Sequence, residues 1–111
     1  MNTPQVLCAG ILVADIFVPP MPRLPASGEL VATNDFLLET GGCAANVATG
    51  LARLGVTTSI NGVVGQDSFG DFLLQTLTAR GIDMTPVRRS SSFGTSKTVV
   101  LPVIGDDRRF I

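Results

Sequence analysis

The sequence predicts an α/β fold, a parallel sheet with helices packed on it, from three observations. The run Val6 to Leu12 is continuously apolar, the pattern of a strand covered on both faces. The stretch GGCAANVATGLARLG, residues 41–55, carries apolar residues at helical spacing and ends on a glycine. TTSINGVVG and DSFGDFLLQTLTARG then repeat the strand and the helix. The resulting β-α-β-α order calls for crossovers onto parallel strands.

Taken in order, the first strand is expected to close at Asp15. FVPPMPRLPASGE, with four prolines and one glycine, then leaves the core as a loop. Residues 30–38 read as one or two short strands, with Thr33, Asn34 and Asp35 as a turn or bulge. The first helix is expected over residues 43–54, with Ala44, Val47, Ala48, Leu51 and Ala52 on its apolar face and Gly55 as its stop. Residues 57–65 read as one buried strand. The second helix opens at Asp67 or Ser68, presents Phe69, Phe72, Leu73 and Leu77 on one stripe, and closes at Arg80 and Gly81. Residues 84–87 read as a short strand and RRSSSFG as a polar loop. Residues 97–104 and 108–111 flank Gly105, Asp106 and Asp107, a hairpin signal. The last strand is cut short at Ile111, so the chain reads as the N-terminal piece of a longer protein.

Composition narrows the function. Of 111 residues, 45% are hydrophobic and 15% charged, which is apolar for a small free-standing domain and calls for a covering partner or further chain. A net charge of −1 gives no pull on nucleic acid or anionic membrane. The pairs Arg88–Arg89 and Arg108–Arg109 read as solvated loop or strand-edge charges. With no histidine, Ser–His–Asp and Cys–His catalysis and His-ligated zinc are excluded within these residues. Cys8 and Cys43 form no CxxC and read as two buried thiols. No Lys or Arg precedes the apolar N-terminal run and Asp15 interrupts it, so no signal peptide is expected. No segment reaches the ~20 apolar residues of a membrane span, and the chain reads as soluble and cytoplasmic.

Gly41 and Gly42 stand at the entry of the first helix. Glycines there accept positive φ, let another molecule approach the backbone, and serve as a hinge. The unpaired N–H groups of the first helical turn face whatever lies ahead of them, and Asn46, one turn in, adds a donor and an acceptor. Asp15, at the carboxyl end of the first strand, lies where open α/β folds place ligands. A carboxylate accepting two vicinal hydroxyls makes charge-assisted bonds of about 1.5–3 kcal/mol each. Asp15 and Asn46 therefore suit a polyol. Asp15 capping a turn and Asn46 bonding nearby backbone fit the residues equally well. GQDSFGDF is no phosphate loop, since Asp71 stands where Lys is needed, and Asp67 and Asp71 read as helix-capping and macrodipole residues.

As a whole the pattern resembles the ribokinase-like (PfkB) carbohydrate kinases. Gly41, Gly42, Ala44, Asn46, Ala48, Gly55 and Gly65 fall in register with that family's N-terminal signature, seven fixed positions within 25 residues. Gly10 and Asp15, GQDSFGDFLLQTLTARGID and GTSKTVVLPVIGDDRRFI extend the likeness along the chain. The resemblance implies a ribokinase-like doubly wound domain whose small β-sheet lid comes from about residues 16–38 and 97–111. Residues 1–111 would form the N-terminal part of one such domain, without its C-terminal catalytic part. It also implies that Asp15, Gly42 and Asn46 hold sugar hydroxyls, that Gly41 and Gly42 hinge the lid, and that Thr98 with Ser96, or Lys97 with Val99, lines the sugar. The implied reaction is transfer of the γ-phosphoryl group of ATP to a sugar hydroxymethyl. ATP, Mg2+, a monovalent cation and the catalytic base would be held by residues outside this chain. Apart from the resemblance, exposed edge strands of such a lid invite pairing with a second copy, a homodimer through the lid. Val13 replaces an Asn and Cys43 a Lys of the ribokinases, so ribose, another sugar, a sugar acid and a nucleoside all stay open.

A second reading, from a different class, is a non-catalytic sugar- or nucleoside-binding module that pairs through the exposed edge of its lid. A dinucleotide-binding domain is disfavoured, because GILVAD lacks the glycine spacing that a pyrophosphate requires.

Overall fold

The computed structural model describes residues 3–111. The elements in chain order are β1 (Val6–Ala9), β2 (Val13–Phe17), β3 (Leu37–Gly41), α1 (Cys43–Arg53), β4 (Thr58–Asn61), β5 (Val63–Gly65), α2 (Ser68–Ala79), β6 (Arg88–Ser90), β7 (Lys97–Leu101) and β8 (Arg109–Phe110). Their contacts form two units. One holds the chain up to Ala14 together with Thr40–Lys97, the other Asp15–Glu39 with Thr98–Ile111.

In the first unit β1 runs parallel to β4, from Val6 opposite Thr58 to Ala9 opposite Asn61, and β5 runs parallel to β6. Helix α1 buries Ala44, Ala45 and Ala48, small residues that let its backbone approach β1 and β4. Helix α2 buries Leu73 and Leu77 into the same core as Cys8, Ile60 and Val64. Each of the two leucines contributes about 1.5–3 kcal/mol of hydrophobic stabilisation. Both helices end alike. Gly55 N–H donates to Ala52 O and Val56 N–H to Leu51 O after α1, and Gly81 N–H donates to Thr78 O and Ile82 N–H to Leu77 O after α2. Each pair of bonds satisfies carbonyls that the helix leaves open.

The second unit is built on the four-stranded sheet of order β3-β2-β7-β8. Val18 N–H donates to Val100 O at 3.2 Å and Met21 N–H to Pro102 O at 3.1 Å, continuing β2 alongside β7 in the same direction. Strands β7 and β8 are antiparallel, with Val100 opposite Phe110. Asp106 N–H donating to Val103 O closes the turn between them.

Several expectations are corrected. The opening apolar run is two strands, β1 and β2, and not one. Cys8 is buried while Leu7 is 55% exposed, so β1 is covered on one side only. The strand expected over 57–65 divides at Gly62 into β4 and β5. A Cβ at Gly62 would lie 2.8 Å from Gly10 O, so the chain turns where another backbone comes close. Residues 30–36 form no strand, and β3 starts only at Leu37. Within that stretch Asp35 N–H donates to Thr33 Oγ1 at 3.1 Å, a local side-chain turn. Residues 84–87 form a turn closed by Val87 N–H on Met84 O, and Asp83 Oδ1 accepts from both the N–H and the hydroxyl of Thr85. The strand lies in the supposed polar loop, because main-chain pairing of β6 with β5 tolerates polar side chains. Arg89 is an exposed strand-edge charge, as expected, but one with fixed partners. It donates to Gly65 O and Asp67 O and pairs with Asp71 at 2.6 Å.

Candidate functional site

In the first unit the candidate residues lie at the start of α1. Gly42 is its N-cap, with φ 89 and ψ 148, and no side chain caps the helix. A Cβ on Gly42 would stand 2.5 Å from Ile11 O, so both the torsion and the space demand glycine. Gly41, the last residue of β3, is buried. Asn46 N–H donates to Gly42 O at 2.9 Å and closes the first turn, while its side chain is exposed and makes no hydrogen bond among the described residues. The uncapped N–H groups carry the positive end of the helix dipole, so this mouth offers donors and one amide to a neutral or anionic oxygen.

Cys43, the first helical residue, is exposed, which corrects the expectation of two buried thiols; Cys8 is buried.

In the second unit Asp15 is half-buried. It stands in the middle of β2 and does not close the first strand, which ends at Ala9. Thr98, on the neighbouring β7, donates its hydroxyl to Asp15 Oδ1 at 2.6 Å. The structure thus brings Asp15 and Thr98 together in one unit, and Gly41, Gly42 and Asn46 together in the other. Lys97, the alternative on β7, is instead engaged with its own surroundings: its Nζ donates to Thr95 O at 3.1 Å and stands 5.5 Å from the Phe69 ring centre.

A third cluster joins a locally predicted cap to a residue that has no local sequence signal. Asp67 caps α2 by accepting from Gly70 N–H at 2.8 Å, as capping predicts. It also accepts from Thr95 N–H at 2.9 Å and from the Thr95 hydroxyl at 2.7 Å. These donors hold the Asp67 carboxyl down at about 2, the Thr95 backbone first, then its hydroxyl, then Gly70 N–H. Thr95 is 28 residues from Asp67 in sequence, and only the fold joins them.

Among the described residues no group of three or more His, Cys, Asp or Glu could hold a metal ion. The acidic residues nearest a phosphate-loop pattern are already committed, Asp67 to capping and Asp71 to Arg89. These residues do not fit a magnesium–nucleotide site. No helix among the described residues is long and apolar enough to cross a membrane.

A family model for pfkB family carbohydrate kinases matches residues 3–111. The chain belongs to the pfkB family. Among its pfkB and sugar-kinase relatives, a fructokinase of Escherichia coli is 43% identical over 60 residues, 54% of this chain and 20% of that protein. A probable chloroplastic fructokinase of Arabidopsis thaliana is 32% identical over 110 residues, 99% of this chain and 27% of that protein. The solved Arabidopsis thaliana ribokinase complexed with ribose and ATP superposes with a TM-score of 0.83 at 28% identity, over 99% of this chain and 36% of that one. The pfkB chain described here therefore spans between a fifth and about a third of the relatives it matches. The fold is that of the ribokinase-like sugar kinases.

Proposed function

We propose that these residues form the substrate-binding and lid portion of an ATP-dependent sugar kinase, which transfers a γ-phosphoryl group to a sugar hydroxymethyl. One observation carries the reading: α1 begins without a capping side chain, at a glycine where no side chain fits, with an exposed amide one turn in. A helix that only packs gains nothing from an open end, whereas a hydroxyl-bearing ligand uses each of those donors. The half-buried Asp15 carboxylate supports the same reading, since it accepts one hydroxyl already and keeps further lone pairs for a sugar. In this reading Asp15, Gly41, Gly42, Asn46 and Thr98 contact the sugar. The clustering of residues 15–39 and 98–111 as a unit of their own supports treating them as the lid.

ATP, Mg2+, a monovalent cation and the catalytic base are assigned to residues outside this chain. The nucleotide supplies the phosphoryl group, and phosphoryl transfer depends chiefly on positioning and charge stabilisation. This chain's share is to orient the acceptor: Asp15 accepts hydroxyl protons, the α1 entry donates to oxygens, and the lid excludes water that would compete for the phosphoryl group. The names fructokinase and ribokinase among the relatives make a ketohexose or a pentose the first acceptors to test. The reading places the protein in the cytoplasm and pairs two copies through the exposed edges of lid strands.

The deciding experiment assays the full-length protein with Mg·ATP against fructose, ribose, sugar acids and nucleosides. Sugar-dependent ADP formation is expected from it and none from residues 1–111 alone. Sugar-dependent turnover by residues 1–111 would overturn the division of labour. Sugar binding without turnover by the full-length protein would favour a binding module.

A further inference from the structure

The geometry points to the two ends of α2 as anchors for the roots of β3 and β7, which makes Asp67, Thr95 and Arg80 positioning residues for the sugar contacts. The inference rests on the proposed function above. At the N-terminal end of α2, Asp67 accepts three bonds, one from Gly70 N–H and two from Thr95. At the C-terminal end, Arg80 donates to Thr40 Oγ1 at 2.7 Å. Thr95 lies three residues before Thr98 on the way into β7, and Thr40 directly precedes Gly41 and Gly42. Both threonines are buried, Thr95 to 2% and Thr40 to 8% exposure.

Capping alone does not account for this. A capping residue needs one oxygen aimed at one helical N–H, whereas both carboxylate oxygens of Asp67 are used and two of its three bonds go to a residue outside the helix. The Thr95 hydroxyl completes a relay, donating to Asp67 while accepting from Gly65 N–H at 2.8 Å. A Cβ on Gly65 would lie 2.6 Å from Thr95 N, so the end of β5 must be bare for Thr95 to reach the anchor. The low Asp67 pKa fits a carboxylate held ionised by these donors. One helix thereby holds Thr95 and Thr40, all within the first unit.

Asp67→Asn separates the anchor from the cap. Its carbonyl oxygen still accepts from Gly70 N–H, while its NH2 now faces the Thr95 N–H, donor against donor. Thr95→Val removes the hydroxyl relay and Thr95→Ser restores it. In the full-length protein, amide hydrogen exchange of residues 96–99 is expected to speed up about tenfold in Asp67→Asn and Thr95→Val, with Thr95→Ser like the wild type. Arg80→Met is expected to do the same for residues 40–42 and leave 96–99 unchanged. In the same variants KM for the sugar is expected to rise about fivefold or more with KM for ATP unchanged.

Leu77→Val, a core truncation in the same helix, is expected to lower Tm without moving the sugar KM. Unchanged exchange at both roots overturns the anchors. Faster exchange with an unmoved sugar KM, or an equal rise in Leu77→Val, overturns the positioning role. If Asp67→Asn does not fold, the Thr95→Val and Thr95→Ser pair decides by the same readouts. A wild-type protein that phosphorylates no sugar overturns the proposed function, and the exchange pattern still decides the anchors.

Discussion

The Thr98 hydroxyl donates to Asp15 Oδ1 at 2.6 Å, joining residues 83 positions apart in the chain. The bond fixes one carboxylate oxygen and orients the other. Asp15→Ala in the full-length protein is expected to lower kcat/KM for the sugar by roughly 2–4 kcal/mol, combining lost bonds to the ligand with a hydroxyl left unpaired. Thr98→Val is expected to cost less, about 0.5–1.5 kcal/mol, because the carboxylate remains. Steady-state kinetics on both variants checks this, and an unchanged kcat/KM in Asp15→Ala removes Asp15 from the site.

Acid should weaken the fold through Asp67. Its folded-state pKa is about 2, below the ordinary 3.8, so the ionised form is favoured by folding. A depressed folded pKa gives stability that is fully present above the ordinary pKa and is lost as pH falls from about 4 through about 2. Urea midpoints of the wild type and Asp67→Asn, measured from pH 5 down to pH 2, are expected to differ most at pH 5 and to converge in acid. A constant difference would contradict the assignment.

What the sequence disclosed depended on range. The cap at Asp67, the stops at Gly55 and Gly81 and the turn before β8 were legible because each rests on residues within one turn of one another. The break at Gly62 was not, since it answers to Gly10 and Leu12, about fifty residues earlier. Strand β6 was missed because its pairing with β5 uses backbone and leaves Arg88 and Arg89 polar. Arg89 reads as a loop or strand-edge charge and is the latter, but its partner Gly65 O lies 24 residues away and has no local signal. The candidate site divides the same way. Gly41, Gly42 and Asn46 form a local pattern visible in the sequence, whereas the bond between Asp15 and Thr98 exists only once β2 and β7 are neighbours.

The two thiols should react unequally. Cys43 is exposed at the first position of α1 and Cys8 is buried in the core. A maleimide is expected to label Cys43 quickly in the native protein and Cys8 only in denaturant, read by peptide mapping of the two sites. Because Cys43 adjoins Gly42, labelling is also expected to block sugar turnover in the full-length protein, and bound sugar should slow it. A native protein in which the Cys8 peptide labels as fast as the Cys43 peptide would contradict the burial of Cys8.

Two glycines in and beside the same helix should respond to alanine with opposite signs. Gly42 has φ 89, and an added Cβ would meet Ile11 O at 2.5 Å and Ile11 C at 2.9 Å, backbone atoms that cannot swing aside. The torsion alone costs an alanine about 1–2 kcal/mol, and the collision adds to it. Gly50 lies inside α1 with nothing within 4 Å of an added Cβ. There the methyl group removes the entropic penalty of a helical glycine, worth about 0.5–1 kcal/mol. Chemical denaturation should therefore show Gly42→Ala destabilised by more than about 2 kcal/mol. Gly50→Ala should be stabilised by about 0.5–1 kcal/mol with the sugar KM unmoved. A Gly42→Ala protein as stable as the wild type would mean that the α1 entry does not need its bare backbone, and the open mouth offered to a sugar would lose its structural basis.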